Sequence, residues 1–121
     1  MRNTRIHYLY RDAANYKQHA DVVVRGRVGF EDLKPFLESG EWFIPGDVGL
    51  PDLQHNFAVQ GCAFPTADDH VWHELVSCEP ADASPTMDMT AAELMQRFRD
   101  AARSGWRVSA AQTRLHTLAD K

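Results

Sequence analysis

The chain has few of the features that announce a chemistry outright. It holds two cysteines, Cys62 and Cys78, among 121 residues. That is too few for a disulfide framework, and their surroundings match no zinc-finger or redox spacing. No apolar run approaches the ~20 residues of a membrane span. The opening residues Met1-Arg2-Asn3-Thr4-Arg5 lack the apolar core of a signal peptide. The expectation is a cytoplasmic chain with reduced cysteines and no membrane contact. Internal repeats and low-complexity runs are missing, and so is any RNA-recognition signature. Basic charge is nearly missing from the middle: residues 29–93 carry Lys34 alone against thirteen acids, a net of −12. The flanking segments 1–28 and 94–121 each carry a net of +4. With an isoelectric point near 5.8, general attraction to nucleic acid is not the default. Sorted charge of this kind points to a charged partner or to an internally complementary fold.

Length and composition fit one soluble domain with a real core: domains commonly run about 100–150 residues, and the hydrophobic fraction is 44 %. Thr4–Arg11 alternates, with Ile6, Tyr8 and Tyr10 on one side and Arg5, His7, Leu9 and Arg11 on the other, which predicts a strand. Asp12–Asp21 reads as a turn or loop, and Ala20–Val28 as a second strand forming a hairpin with the first. Phe30, Leu33, Phe36 and Leu37 recur at helical spacing over Phe30–Ser39, with Gly40 at the cap. Pro35 limits how early that helix starts. Glu41–Pro45 reads as a brief strand. Gly46–Thr66 reads as a long irregular connection with a helical turn at Pro51–His55, and loops of this length are often functional. His70–Cys78 fits a strand better than a helix, given Val71, Trp72, Val76 and the break imposed by Pro80. Thr90 and Glu93 form a capping box that starts a helix through Ser104, stopped by Gly105. Ser109 with Gln112 opens a weaker final helix lined by Ala111, Leu115 and Leu118. The order ββαββαα predicts an α+β fold. Its antiparallel sheet has about four strands, with two or three helices on one face. Residues 1–106 form the domain and 107–121 a C-terminal short helix or tail.

The densest chemistry lies at Asp68-Asp69-His70-Val71-Trp72-His73-Glu74. On a helix, His70, His73 and Glu74 share a face, and Asp69 could complete a divalent metal site. On a strand, His70 and Glu74 point one way and His73 the other, which argues against one metal shell. The residue order matches neither the zincin motif nor its inverse. The three remain candidates for acid–base work, for which histidine is suited, and the alternative is that one is half-buried beside Trp72 while the rest are solvated. Cys62 and Cys78 could join His70 or His73 in a zinc shell, or one could act as a nucleophile, but small core residues are the simpler reading. The hairpin's polar face gathers Arg5, His7, Arg11, Arg25 and Arg27, an anion-binding set with Tyr16 available to stack on a base. Solvated cross-strand pairs are the plainer alternative. In the acidic middle, Glu38, Glu41, Asp47 and Asp52 surround Trp42, Phe43, Ile44 and Leu50. An apolar cluster rimmed by carboxylates suits a protein-binding patch anchored on Trp42.

His7-Tyr8-Leu9-Tyr10-Arg11-Asp12 with Asn15-Tyr16-Lys17 opens a set of distinctive segments. Trp42-Phe43-Ile44-Pro45 follows, then Gly49-Leu50-Pro51-Asp52-Leu53 and Asp69-His70-Val71-Trp72-His73-Glu74-Leu75. Over residues 4–106 the chain resembles a group of small bacterial proteins without an assigned function. The resemblance implies a bacterial cytoplasmic protein and carries over no catalytic residue. Small lone domains of this kind include mobile-element inhibitors and accessory factors. The expected function is a non-catalytic binding or accessory module that needs no cofactor and engages a protein partner, or a second copy of the chain, through Glu38–Leu53. The alternatives are a small metal-dependent or histidine-based enzyme at Asp69, His70, His73 and Glu74, and nucleic-acid binding by the basic hairpin.

Overall fold

The computed structural model describes residues 2–119, with side chains through His116. It is an α+β fold built on a four-stranded antiparallel sheet. The strands are β1 (Asn3–Arg11), β2 (Lys17–Val24), β3 (Trp42–Phe43) and β4 (His73–Ala81), ordered β2-β1-β4-β3. The helices are α1 (Phe30–Leu33), α2 (Asn56–Val59), α3 (Ala91–Ser104) and α4 (Val108–Ala119). No described helix is long and apolar enough to cross a membrane.

The period of two in β1 sets the two faces of the sheet. Ile6, Tyr8 and Tyr10 are completely buried and meet Val22, Val24 and Leu75 in the core. Arg5, His7, Leu9 and Arg11 lie on the open face, where Leu9 alone is buried. The hairpin forms, but its strands shift toward the turn. The turn needs only Asp12–Tyr16, where Asn15 takes φ 72° and the Asp12 carboxylate accepts the Tyr16 N–H at 2.9 Å. Pairing with β1 then draws Lys17–Asp21 into β2 despite their weak strand propensity. At the far end β2 stops at Val24 instead of Val28. The buried Thr4 hydroxyl donates to Gly26 O at 2.8 Å and accepts from Val28 N at 3.1 Å, which turns the chain off the sheet.

The strand expected over His70–Cys78 forms from His73 onward, as β4, and runs on to Ala81; His70–Trp72 is irregular, with a bend at Val71. Pro80 is tolerated within β4 because β3 pairs only with His73 and Glu74, leaving that flank of the strand open farther along. The helix expected over Phe30–Ser39 is shorter. Pro35 reduces it to one α turn followed by a 3₁₀ turn at Lys34–Phe36. The brief strand at Glu41–Pro45 shrinks to Trp42–Phe43, after which Pro45–Val48 forms a 3₁₀ turn. No helix forms over the expected Pro51–His55; the helical turn follows it, as α2 at Asn56–Val59.

Helix α3 lies on the core face, where Leu94 and Phe98 are completely buried and Phe98 packs on Phe43 at 5.4 Å between ring centroids. Helix α4 starts before Ser109, which is therefore an interior residue and not a cap. Ala111 and Leu115 are buried, as their spacing implies; the Leu118 side chain lies outside the described residues.

The Thr90 capping box is present: Thr90 Oγ1 accepts the Glu93 N–H at 3.1 Å and Glu93 reaches back to Thr90 N at 3.3 Å. Thr90→Ala should lower unfolding free energy by about 1 kcal/mol, read as a reduced urea midpoint with unchanged slope.

Candidate functional site

The histidine-rich segment is held from several directions. His70 precedes β4, and its Nε2–H donates to Arg11 O at 2.7 Å while its Nδ1 accepts the Trp72 N–H at 3.0 Å. His73 opens β4 on the core face and is completely buried. Its Nδ1–H donates to Val71 O at 3.1 Å, and its Nε2 accepts the Leu53 N–H at 3.0 Å. Each carbonyl acceptor fixes a donor nitrogen, so each ring is a neutral tautomer with both nitrogens engaged. Glu74 points to the open face and takes the Arg11 guanidinium at 2.9 Å. Asp69 accepts the Tyr10 hydroxyl at 2.6 Å and the Thr66 N–H at 2.8 Å. These four side chains do not converge, and each bonds a backbone or side-chain neighbour. Among the described residues no three His, Cys, Asp or Glu side chains gather as a metal-binding group.

Both cysteines are free thiols. Cys78 packs beside the core, and burial, reinforced by the Asp32 charge, pushes its thiol up to about 12. A nucleophile needs the thiolate, so this environment works against one. Cys62 is exposed on the loop after α2.

The basic hairpin face divides. Arg5, His7 and Arg11 stay on the sheet, while Arg25 and Arg27 follow β2 after the chain has turned away. Across the sheet Arg5 faces Glu79, and Arg11 binds Glu74 and Asn15. His7 Nδ1 bonds the Asp21 carboxylate, and its Nε2 lies 3.0 Å from His19 Nδ1, with the two rings stacked at 5.1 Å. From sequence alone, His19 falls in a loop and no register sets Asp21 beside His7, so both are missed. Their positions opposite His7 and Leu9 become visible only with the register.

The acidic, aromatic stretch also divides. Phe43, Ile44 and Leu50 are core residues. Asp47 and Asp52 turn toward α4. Asp52 binds Arg114 Nε at 3.1 Å and Gly46 N at 3.1 Å, and Asp47 accepts the Arg107 N–H at 2.8 Å. Glu38 and Glu41 stay exposed. Trp42 is half-buried and sits opposite Glu74, on the open face. The Glu38 N–H donates to Trp42 O at 2.7 Å and the Trp42 N–H to Glu38 O at 3.0 Å, so the backbone around the tryptophan is fixed. Trp42, Trp72, Glu38 and His70 line a groove of about 450 Å³. Trp72 is also half-buried and rests edge-on against Trp106 at 6.4 Å, which meets Phe98 at 6.0 Å. An aromatic column thus joins the groove to the core, giving it a rigid apolar floor.

His73 ties stability to pH. Burial lowers its pKa from 6.5 to about 3. Between those values the unfolded chain binds a proton that the folded chain refuses. Stability is therefore full above pH 6.5 and falls as pH drops toward 3. From this residue the loss at pH 5 should be about 2 kcal/mol. Urea titrations at pH 7.5 and pH 5 should show it, and the pH dependence should flatten in His73→Gln. No protein-family model, no curated protein and no solved structure matches this chain.

Proposed function

We propose that the domain is a non-catalytic binding module that engages a protein partner through the Trp42–Trp72 groove. The observation that carries this reading is the pair of half-buried tryptophans on one groove, with exposed Glu38 and Glu41 beside them. Half-exposed aromatic rings fixed on a rigid floor are the usual anchors of a protein interface, because they bury a large area while losing little side-chain entropy. The carboxylates favour a partner segment with Lys or Arg flanking an apolar residue. They disfavour an isologous contact between two copies, which would bring the same carboxylates together. The Asp47 and Asp52 carboxylates, bound to α4, hold the loop in shape. His70 and His73 support the groove through its backbone, and both nitrogens of each ring are engaged.

Selection of displayed linear peptides on the immobilised protein should enrich sequences with a large apolar residue flanked by Lys or Arg. Their affinity should fall on the order of tenfold or more in Trp42→Ala, and more modestly and in a salt-dependent way in Glu38→Lys/Glu41→Lys. Peptides that bind Trp42→Ala as tightly as the parent would overturn the proposal. So would a groove occupied by a second copy, seen as a concentration-dependent dimer in sedimentation that Trp42→Ala abolishes.

A further inference from the structure

A second concavity shares no lining residue with the tryptophan groove. It lies where α3 passes into α4, over the 3₁₀ turn Pro45–Val48, and encloses about 460 Å³. Arg97 comes to it from α3, Arg107 from the junction, and Arg114 from α4. Two glycines of the turn make room for two of these cations. A Cβ on Gly49 would fall 2.2 Å from Arg97 Nη1, and one on Gly46 would fall 2.3 Å from Arg114 Nη2. Both guanidinium groups therefore lie directly on backbone where any side chain would displace them.

Their bonding is unequal. Arg114 is pinned by Asp52 through Nε, while its Nη2 is shut from solvent without a hydrogen bond, 3.9 Å from Asp47. Its charge is thus shared between two carboxylates, and it forms a fixed part of the cleft wall. The guanidinium groups of Arg97 and Arg107 make no hydrogen bond or ion pair among the described residues. Asp47, Asp100 and Ser104 complete the polar lining; Asp47 is taken up by Arg114 and the Arg107 N–H, and among the described residues Asp100 is engaged only by Gln96, at 2.9 Å. Two free planar forks suit the several oxygens of a phosphoryl group. A carboxylate and a hydroxyl on the same wall suit the hydroxyls of the group that carries it. The volume is that of a small-molecule site.

We propose that this cleft binds a small phosphate monoester bearing hydroxyl groups, with Arg97 and Arg107 holding the phosphoryl oxygens and Asp100 and Ser104 contacting the hydroxyls. Titration calorimetry and thermal melts in phosphate-free buffer, with ribose 5-phosphate as the probe, test it. Saturable binding and a rising melting midpoint are expected, with no such effect from ribose or from potassium chloride at matched ionic strength. Arg97→Gln and Arg107→Gln should each weaken binding about tenfold. Neither side chain anchors the fold, so their unliganded melts should match the parent. Arg103→Gln, on α3 but outside the cleft, should bind normally. The proposal is overturned if ribose 5-phosphate fails to saturate, or if both cleft variants bind it normally. It is also overturned if inorganic phosphate binds as tightly as the ester. Tighter binding of a single-stranded oligonucleotide, lost in the same variants, would assign the cleft to nucleic acid instead.

Discussion

The hydrogen bond from the Leu53 backbone to the buried His73 ring is the constraint on which the rest of the structure depends. The long segment between β3 and β4 has little regular structure to satisfy its own backbone. Sheet side chains do it instead. Tyr8 donates to Pro51 O at 2.7 Å, and the Tyr10 hydroxyl bonds Asp69 and His70 N. Gln18 exchanges amide bonds with Gln60 across the far edge. Buried polar groups without such partners would each cost roughly 1–3 kcal/mol. Tyr8, Tyr10 and Phe43 surround His73, and this aromatic setting keeps the imidazole neutral while its two nitrogens hold Val71 and Leu53. Loop position and core chemistry are therefore one problem, and the groove beside Trp72 inherits its shape from the solution.

Part of the segregated charge along the chain is paired within the fold. Asp47 and Asp52 meet α4, Glu74 meets Arg11, and Asp21 meets His7. Individually such partly exposed pairs contribute about 0–1 kcal/mol. Their larger effect is positional, since they decide which charges are left over. Among the charges left without an ion pair are Glu38 and Glu41 beside an aromatic groove. Arg97 and Arg107 in the α3–α4 cleft are others, on the basic side. Neither leftover is visible from the net charge of its segment, because each is a difference between neighbours far apart in sequence.

The α+β class, the hairpin, the capped helix and the core residues of β1 were legible because they follow from local periodicity and capping. The strand reading of His70–Cys78 was legible from β-branched and aromatic residues and from Pro80. The limits of β2 were not. They depend on Thr4 bonding Gly26 and Val28, a contact that spans more than twenty residues. The histidine cluster looked like chemistry because His, Asp and Glu stand close together in sequence. The bonds that occupy them come from Arg11, Val71, Leu53 and Tyr10, and only the register and the loop path show those. The Arg97–Arg107–Arg114 cleft left no local signal beyond ordinary helix-surface arginines. Gly46 and Gly49 read as loop glycines until the close approach of guanidinium groups gives them a reason.

Helix α4 links these outcomes. Ala111 and Leu115 bury its inner side, and Ala111 packs in one cluster with Ile44 and Val71, next to Trp72 and Trp106. Its Arg114 then draws Asp47 and Asp52 away from solvent and lies on Gly46, so the same contact closes the floor of the cleft. The apolar support of Trp72 and the cation stacked on the 3₁₀ turn thus come from one short helix. A loosely attached C-terminal segment could do neither, because both depend on Ala111, Arg114 and Leu115 holding a fixed phase against the loop. The two concavities are in that sense coupled products of a single packing arrangement, reached from opposite flanks of Ile44.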